Sequence, residues 1–290
     1  MDYLRGNATA SAVGLFVICS YLSGYPDGRT ESEVVDALQV LRRPARSSDE
    51  SGPVLGASLK IGQGLGIITN PGGTAPLTVE PNLVTELQDA EDPWPWFRGQ
   101  LLQRIAEHGV QQLVATGTAP DLVLGLTWLL QRNPLTPFPT AWTGGTEPLV
   151  RALGFEAVAN SEQWRPFQRW ALALGLARRS DLGGAKVLVP DASTAIADQR
   201  SQLPPASAAT DWLAALRRRV PVLGDRTLLA ALPQGGPHWK ELPPGVVLGL
   251  LKLEKEGLLR LEPSDDAAEV IALGLGATSR QVGRISFGSR

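Results

Sequence analysis

Residues Asn160–Asp191 read NSEQWRPFQRWALALGLARRSDLGGAKVLVPD, a helix, a strand, a turn and a second strand in immediate succession. Asn160 or Ser161 can cap the helix, with Glu162 in the first turn, where the positive end of the helix dipole favours an acid. Trp164, Phe167, Ala171 and Leu174 then recur at spacings of three and four and make one apolar stripe. Gly175 ends the helix. Leu176–Arg178 continue as a strand, Ser180–Gly184 turn, and Lys186–Val189 return before Pro190, which has no N–H for a ladder, stops the pairing. A third helix followed by two strands and their turn is the second half of a winged helix. Trp164, Phe167 and Trp170 are expected in its core, the usual place of large apolar side chains, rather than as a platform for stacked bases.

The same grammar recurs on both sides. Pro53–Gly64 reads as a helix ending in Gly64-Leu65-Gly66, followed by the strand Ile67–Thr69, the turn Asn70–Gly73 and the strand Pro76–Val79. Pro243–Glu256 reads as a helix that Gly257 ends, followed by the strand Leu258–Leu261, a polar turn over Pro263–Ala267 and the strand Glu269–Leu273. Each glycine supplies the left-handed residue that lets the chain leave a helix and enter a strand. Further helices are expected over residues 8–24, from a Thr30 cap through Leu41, and over 96–108, 120–131, 146–153, 193–201, 212–219 and 226–232. A final strand is expected over Val282–Phe287.

The predicted fold is therefore mainly α with short β-hairpins (α+β), in tandem winged-helix units. The boundaries are an N-terminal winged helix over 1–80, a linker over 81–95, a middle helical and winged-helix domain over 96–191, a linker over 192–207, and a C-terminal winged helix and tail over 208–290. Irregular spacing of the three glycines speaks against a solenoid.

Composition narrows the function classes. The chain of 290 residues is 43% hydrophobic and 19% charged, with a formal net charge of −2 and a pI near 5.8. Such a balance argues against a protein whose whole surface grips nucleic acid, while leaving room for a local basic face. Cys19 is the only cysteine, so there is no intrachain disulfide and no sign of an oxidising compartment. Ala10–Leu22 is apolar but lacks a basic leader and a cleavage pattern, and no stretch is long enough to span a bilayer. The expected location is the cytoplasm, without a membrane partner.

The minimum kits of common enzymes are missing. Histidine occurs only as His108 and His238, neither in a ligand-like cluster, so no metal site is expected. His108, read at the end of a helix before Gly109, is expected to serve as a partner for the helix dipole. There is no phosphate-binding G-x-x-x-x-G-K-[ST] loop and no G-x-S-x-G elbow. Gly62-Gln63-Gly64-Leu65-Gly66 follows a helix and precedes a strand, the reverse of a dinucleotide-binding turn. Asp265-Asp266 falls in a predicted turn, where aspartate is common. The chain is read as having no catalytic residues and no cofactor.

Binding residues are easier to nominate. The middle unit offers the best basic patch, Arg165 and Arg169 on the third helix with Arg178 and Arg179 beside the wing. Lys60 is the lone cation of the first unit's third helix, and Lys252 and Lys255 lie on the last unit's third helix beside Glu254 and Glu256. These seven are the candidate contacts to double-stranded DNA. Arg217-Arg218-Arg219 end a helix, where the dipole favours cations without any ligand. Trp94, Trp96 and Trp239 are candidate protein contacts, since exposed tryptophans mark covered surfaces; Trp94 and Trp96 are expected to pin the 81–95 stretch onto the domain that follows.

The combination Trp164-x-x-Phe167-x-x-Trp170-Ala171-x-x-Leu174-Gly175, Leu188-Val189-Pro190-Asp191, Thr194-Ala195-Ile196 and Leu253-x-x-Glu256-Gly257-Leu258 resembles the DpdG component of bacterial Dpd gene clusters. Those clusters place 7-deazapurine derivatives in DNA and restrict foreign DNA. The resemblance covers most of the chain through apolar, structural positions, and it implies a subunit of a multi-protein DNA modification and restriction system with no catalytic residues to carry over. The expected function is a non-catalytic DNA-binding or adaptor subunit of a bacterial, antiviral DNA-directed complex. A protein-interaction scaffold without DNA contact and a stand-alone transcriptional regulator are the alternatives.

Overall fold

A computed structural model describes residues 1–38, 52–70, 72, 75–233, 242–263 and 270–288. The fold is mainly helical with small antiparallel sheets, and it divides into two units, Met1–Leu101 and Leu102–Arg290. Among the described residues no single helix is long and apolar enough to cross a membrane.

The first unit is built on α1 (Ala12–Ser23), which Ser11 caps by accepting from the Gly14 N–H at 2.9 Å. The cap explains why the helix starts later than residue 8. Leu15, Ile18, Cys19 and Leu22 are buried along it. Next comes α2 (Glu31–Ala37), which begins with a capping box in which Thr30 and Glu33 satisfy each other's backbone N–H groups. Following it, α3 (Gly52–Gly64) packs on α1. The hairpin β1 (Ile68–Thr69) and β2 (Thr78–Val79) closes the arrangement, and Arg29 bridges Leu77 at its edge. The acidic stretch after it is not an extended linker. It holds α4 (Pro81–Asp89), which buries Leu83 and Leu87 and packs on α1.

Then α5 runs Trp94–Thr116, well beyond the expected end at His108. Gly109 does not stop the helix. A Cβ there would lie 2.6 Å from Val123 Cγ1, so the glycine permits close approach of α5 to α6 (Asp121–Leu130). His108 is consequently a mid-helix, half-buried residue, and the expected dipole role does not apply.

In the second unit, β3 (Phe138–Pro139) and α7 (Glu147–Leu153) follow α6, then α8 (Ser161–Ala173), β4 (Ala177–Leu182) and β5 (Ala185–Pro190). The sheet order is β3-β5-β4, all antiparallel. Trp128, Phe138, Phe155, Trp164 and Phe167 form an aromatic core with ring centroids 5.1–6.3 Å apart. Trp164, Phe167 and Trp170 are all buried, as expected of core side chains.

The stretch expected as a second linker carries α9 (Ser193–Asp198) and β6 (Ala206–Ala208). There follow α10 (Ala209–Arg219), α11 (Arg226–Ala230), α12 (Pro244–Lys255), β7 (Leu259–Glu262), β8 (Ile271–Leu275), β9 (Thr278–Val282) and β10 (Arg284–Phe287). Thr210 and Asp211 do not cap α10, which has no side-chain cap, whereas Asp225 does cap α11. One strand pairing departs from the sequence reading. The partner of β7 is β10, in the order β6-β10-β7, while 271–275 pairs with β9 in a separate hairpin. A two-residue turn at Gly276-Ala277 lets β8 pair locally with β9, so the return to β7 falls to the tail strand.

Candidate nucleic-acid interface

Two side chains tie down the start of α8. Asn160 Oδ1 accepts from the Gln163 N–H at 2.9 Å, and Gln163 Oε1 accepts from the Ala159 N–H at 2.7 Å. One face of the helix is core. At its edge, Trp164 Nε1 and Gln168 Nε2 each donate to the carbonyl of Thr140 at 2.9 Å. Thr140 in turn donates its N–H to the carbonyl of Lys186 at 2.9 Å. The helix thereby clamps the chain just after β3, where it runs beside β5. Arg165 and Arg169 each follow one of the two clamping residues, about 100° round the helix, and both are exposed. Surrounding protein holds the Arg169 guanidinium below its ordinary pKa.

The β4–β5 hairpin is longer than its sequence suggests. Leu182 pairs with Ala185, and Gly183 and Gly184 form the turn, both with positive φ (58° and 84°), the demand of a two-residue hairpin turn. Register then decides which cations meet. Arg179 opposite Leu188 and Asp181 opposite Lys186 put Arg179, Asp181 and Lys186 on one face, where a groove of about 430 Å³ is lined by Thr140, Arg179, Ser180, Asp181 and Lys186.

Arg178 points to the other face. Its Nε lies 3.1 Å from Asp191 Oδ2, which Lys252 Nζ also approaches at 3.3 Å. Lys252 donates to Ser193 Oγ at 2.9 Å, and Asp191 Oδ1 accepts from the Ser193 N–H at 2.9 Å. Asp191 is only 3% exposed, so these two cations compensate a buried carboxylate.

The four middle arginines are thus split. Arg179 shares a hairpin face with Lys186, Arg165 and Arg169 are exposed on α8, and Arg178 joins Lys252 in a tie to Asp191. Lys186 was not among the nominated residues; its position follows from the two-residue turn, which the sequence reading spread over five residues. Lys255 is exposed on α12, and Lys60 is exposed on α3 of the first unit. Trp94 is half-buried within the first unit, packed edge-on against Phe16 of α1 at 5.2 Å with Arg98 over its ring, and Trp96 is also half-buried. So Trp94 packs on α1, earlier in the chain. Trp239 lies outside the described residues.

Residues 4–267, from the first unit through β7, match the family model described as DpdG-like. The chain belongs to the DpdG-like family. No curated protein and no solved structure matches it. The DpdG-like match takes in α8, the β4–β5 hairpin and the Asp191 tie, and ends before β8. Membership of this family suggests a component of a bacterial Dpd modification and defence cluster.

Proposed function

We propose that this chain is a non-catalytic subunit of a multi-protein Dpd assembly, in which its middle unit acts as a winged helix on double-stranded DNA. The observation that carries the proposal is a pair of exposed arginines, Arg165 and Arg169, on α8, followed directly by a hairpin whose register puts Arg179 and Lys186 on one face. In a winged helix the third helix enters the major groove and the wing meets the backbone. The order α6, β3, α7, α8, β4, β5 and the sheet order β3-β5-β4 suit that role for α8 and the hairpin. The orders α1, α2, α3, β1, β2 and α10, α11, α12, β7, β10 support the same reading of the other two units. The contribution of these cations is phosphate attraction, which gives affinity that falls with salt.

Binding of the purified protein to a fluorescent duplex across a salt series, with a matched single strand as control, tests the proposal. Duplex binding is expected to weaken steeply with salt. Reversing Arg165 and Arg169 to Glu should weaken binding to every sequence and flatten the salt slope by about one for each phosphate the protein no longer meets, as should Arg179→Glu with Lys186→Glu. Arg218→Glu, an exposed arginine on α10, should change neither. Failure to bind any duplex at low salt would sink direct DNA recognition. The adaptor reading would then stand, supported by Leu182, which is 60% exposed at the hairpin tip and suited to an apolar pocket on another subunit.

A further inference from the structure

The second unit contains a cavity of about 580 Å³, a volume typical of small-molecule sites. Its wall includes Trp128, Gln131 and Arg132, which lie at the end of α6 and just beyond it. Four polar atoms on these three neighbours, Trp128 Nε1, Gln131 Nε2, Gln131 Oε1 and Arg132 Nε, are buried with no hydrogen-bond partner. Buried polar atoms are nearly always paired, because leaving one unpaired costs its full desolvation. An indole donor, a carboxamide donor–acceptor pair and a guanidinium donor, on three residues of one cavity wall, are therefore a standing cost to the fold.

Elsewhere the described lining is apolar or bare, with Phe155, Val247, Gly274 and Gly276 among it, except for Ser279. No Asp, Glu, His or Cys occurs among the described lining residues, so nothing there neutralises Arg132 or performs acid–base chemistry. The guanidinium of Arg132 lies over the Trp128 ring at 5.2 Å, and burial pushes its pKa below the ordinary arginine value. Trp128 is itself 1% exposed and stacked on Phe155, so the indole N–H is fixed in place. Gln131 and Arg132 reach the cavity by turning about their outer torsions, where staggered alternatives are close in energy.

We propose that this cavity binds a small molecule presenting an amide or lactam edge together with an anionic group. The Gln131 carboxamide meets the edge with one donor and one acceptor, the geometry by which a carboxamide reads a paired donor and acceptor. Arg132 takes the anion. None of these residues belongs to α8 or its hairpin, so the inference is independent of the nucleic-acid reading.

Calorimetric titration of the full chain with inosine 5′-monophosphate, orotate and N-acetylglutamine tests it, because these carry the two groups on three different frames. Inosine and ribose 5-phosphate, each carrying one group, are the controls. At least one of the three probes should bind saturably and raise Tm, more tightly than either control. Gln131→Leu and Arg132→Met should each weaken that probe at least tenfold while leaving Tm of the free protein unchanged or higher, since each removes an unpaired buried polar group. Absence of binding by all three probes at millimolar concentration overturns the proposal. So does binding that both variants retain, or a free-protein Tm lowered in both, which is the behaviour of groups that serve the fold alone.

Discussion

Asp191 and His108 are two titratable residues whose surroundings set their roles. Asp191 is buried, yet its carboxylate is met by Arg178, Lys252 and the Ser193 N–H, so both oxygens have partners and the charge is compensated on the spot. His108 has no such provision. Its Nδ1 is buried with no hydrogen-bond partner, and burial pushes the imidazole pKa below its ordinary value. The folded protein therefore binds the His108 proton less readily than the unfolded chain does. Stability from this residue is fully present above the unfolded value of about 6.5 and is lost as pH falls through that value toward the folded one. Comparing urea midpoints at about pH 7.5 and about pH 5.5, His108→Gln should lose less stability on acidification than the parent protein. An equal loss in both would mean that His108 is as easily protonated in the fold as outside it.

Helix ends make the clearest case at the scale of elements. After α3, α8 and α12 the same two hydrogen bonds recur. The glycine N–H donates to the carbonyl three residues back, Gly66 to Gln63, Gly175 to Leu172 and Gly257 to Glu254. The next residue's N–H donates five back, Ile67 to Gly62, Leu176 to Ala171 and Leu258 to Leu253. All three glycines have φ between 66° and 74°, the left-handed cap that hands a helix on to a strand. This was legible in the sequence because everything the cap needs lies within six residues. Partners far along the chain were not: β7 finds β10 past an intervening hairpin, Trp94 finds Phe16, and Gly109 answers to Val123 rather than to its own helix. Tertiary surroundings also separate the three caps. A Cβ on Gly257 would meet nothing within 4 Å, whereas one on Gly175 would lie 2.9 Å from Thr194 Cβ and 3.0 Å from the Ala195 nitrogen. Gly257→Ala should cost about 1–2 kcal/mol, the left-handed penalty alone, and Gly175→Ala more than about 3 kcal/mol, with backbone collision added to that penalty. Urea unfolding of the two variants measures the difference, and equal costs would show that Thr194 and Ala195 give way freely.

For the second unit as a whole, the decisive segment is Pro190–Ser193, where the middle part of the chain passes into its C-terminal part. Gly245 and Gly249, one turn apart on α12, form a side-chain-free strip against it. A Cβ on Gly245 would lie 3.2 Å from Pro190 Cβ, and one on Gly249 would lie 2.8 Å from the Ser193 nitrogen. The Ala192 N–H donates to the Gly245 carbonyl at 3.1 Å, and the Asp191 carboxylate receives Lys252 from the next turn of the same helix. Backbone packing, a hydrogen bond and an ion pair to a buried carboxylate thus meet within four residues, so the two parts share one interior. This also fixes the direction in which α8 and its hairpin present Arg165, Arg169, Arg179 and Lys186 relative to α12. Gly249→Val forces that strip apart, and the disturbance should spread to both sides of the join. In native-state hydrogen exchange followed by mass spectrometry, peptides from α8, β4 and β5 should lose protection together with peptides from α12, β7 and β10, as members of one cooperative unit do. Loss confined to α12 and the strands after it would mean instead that the middle part stands alone, with residues 192–207 as the linker that their sequence suggested.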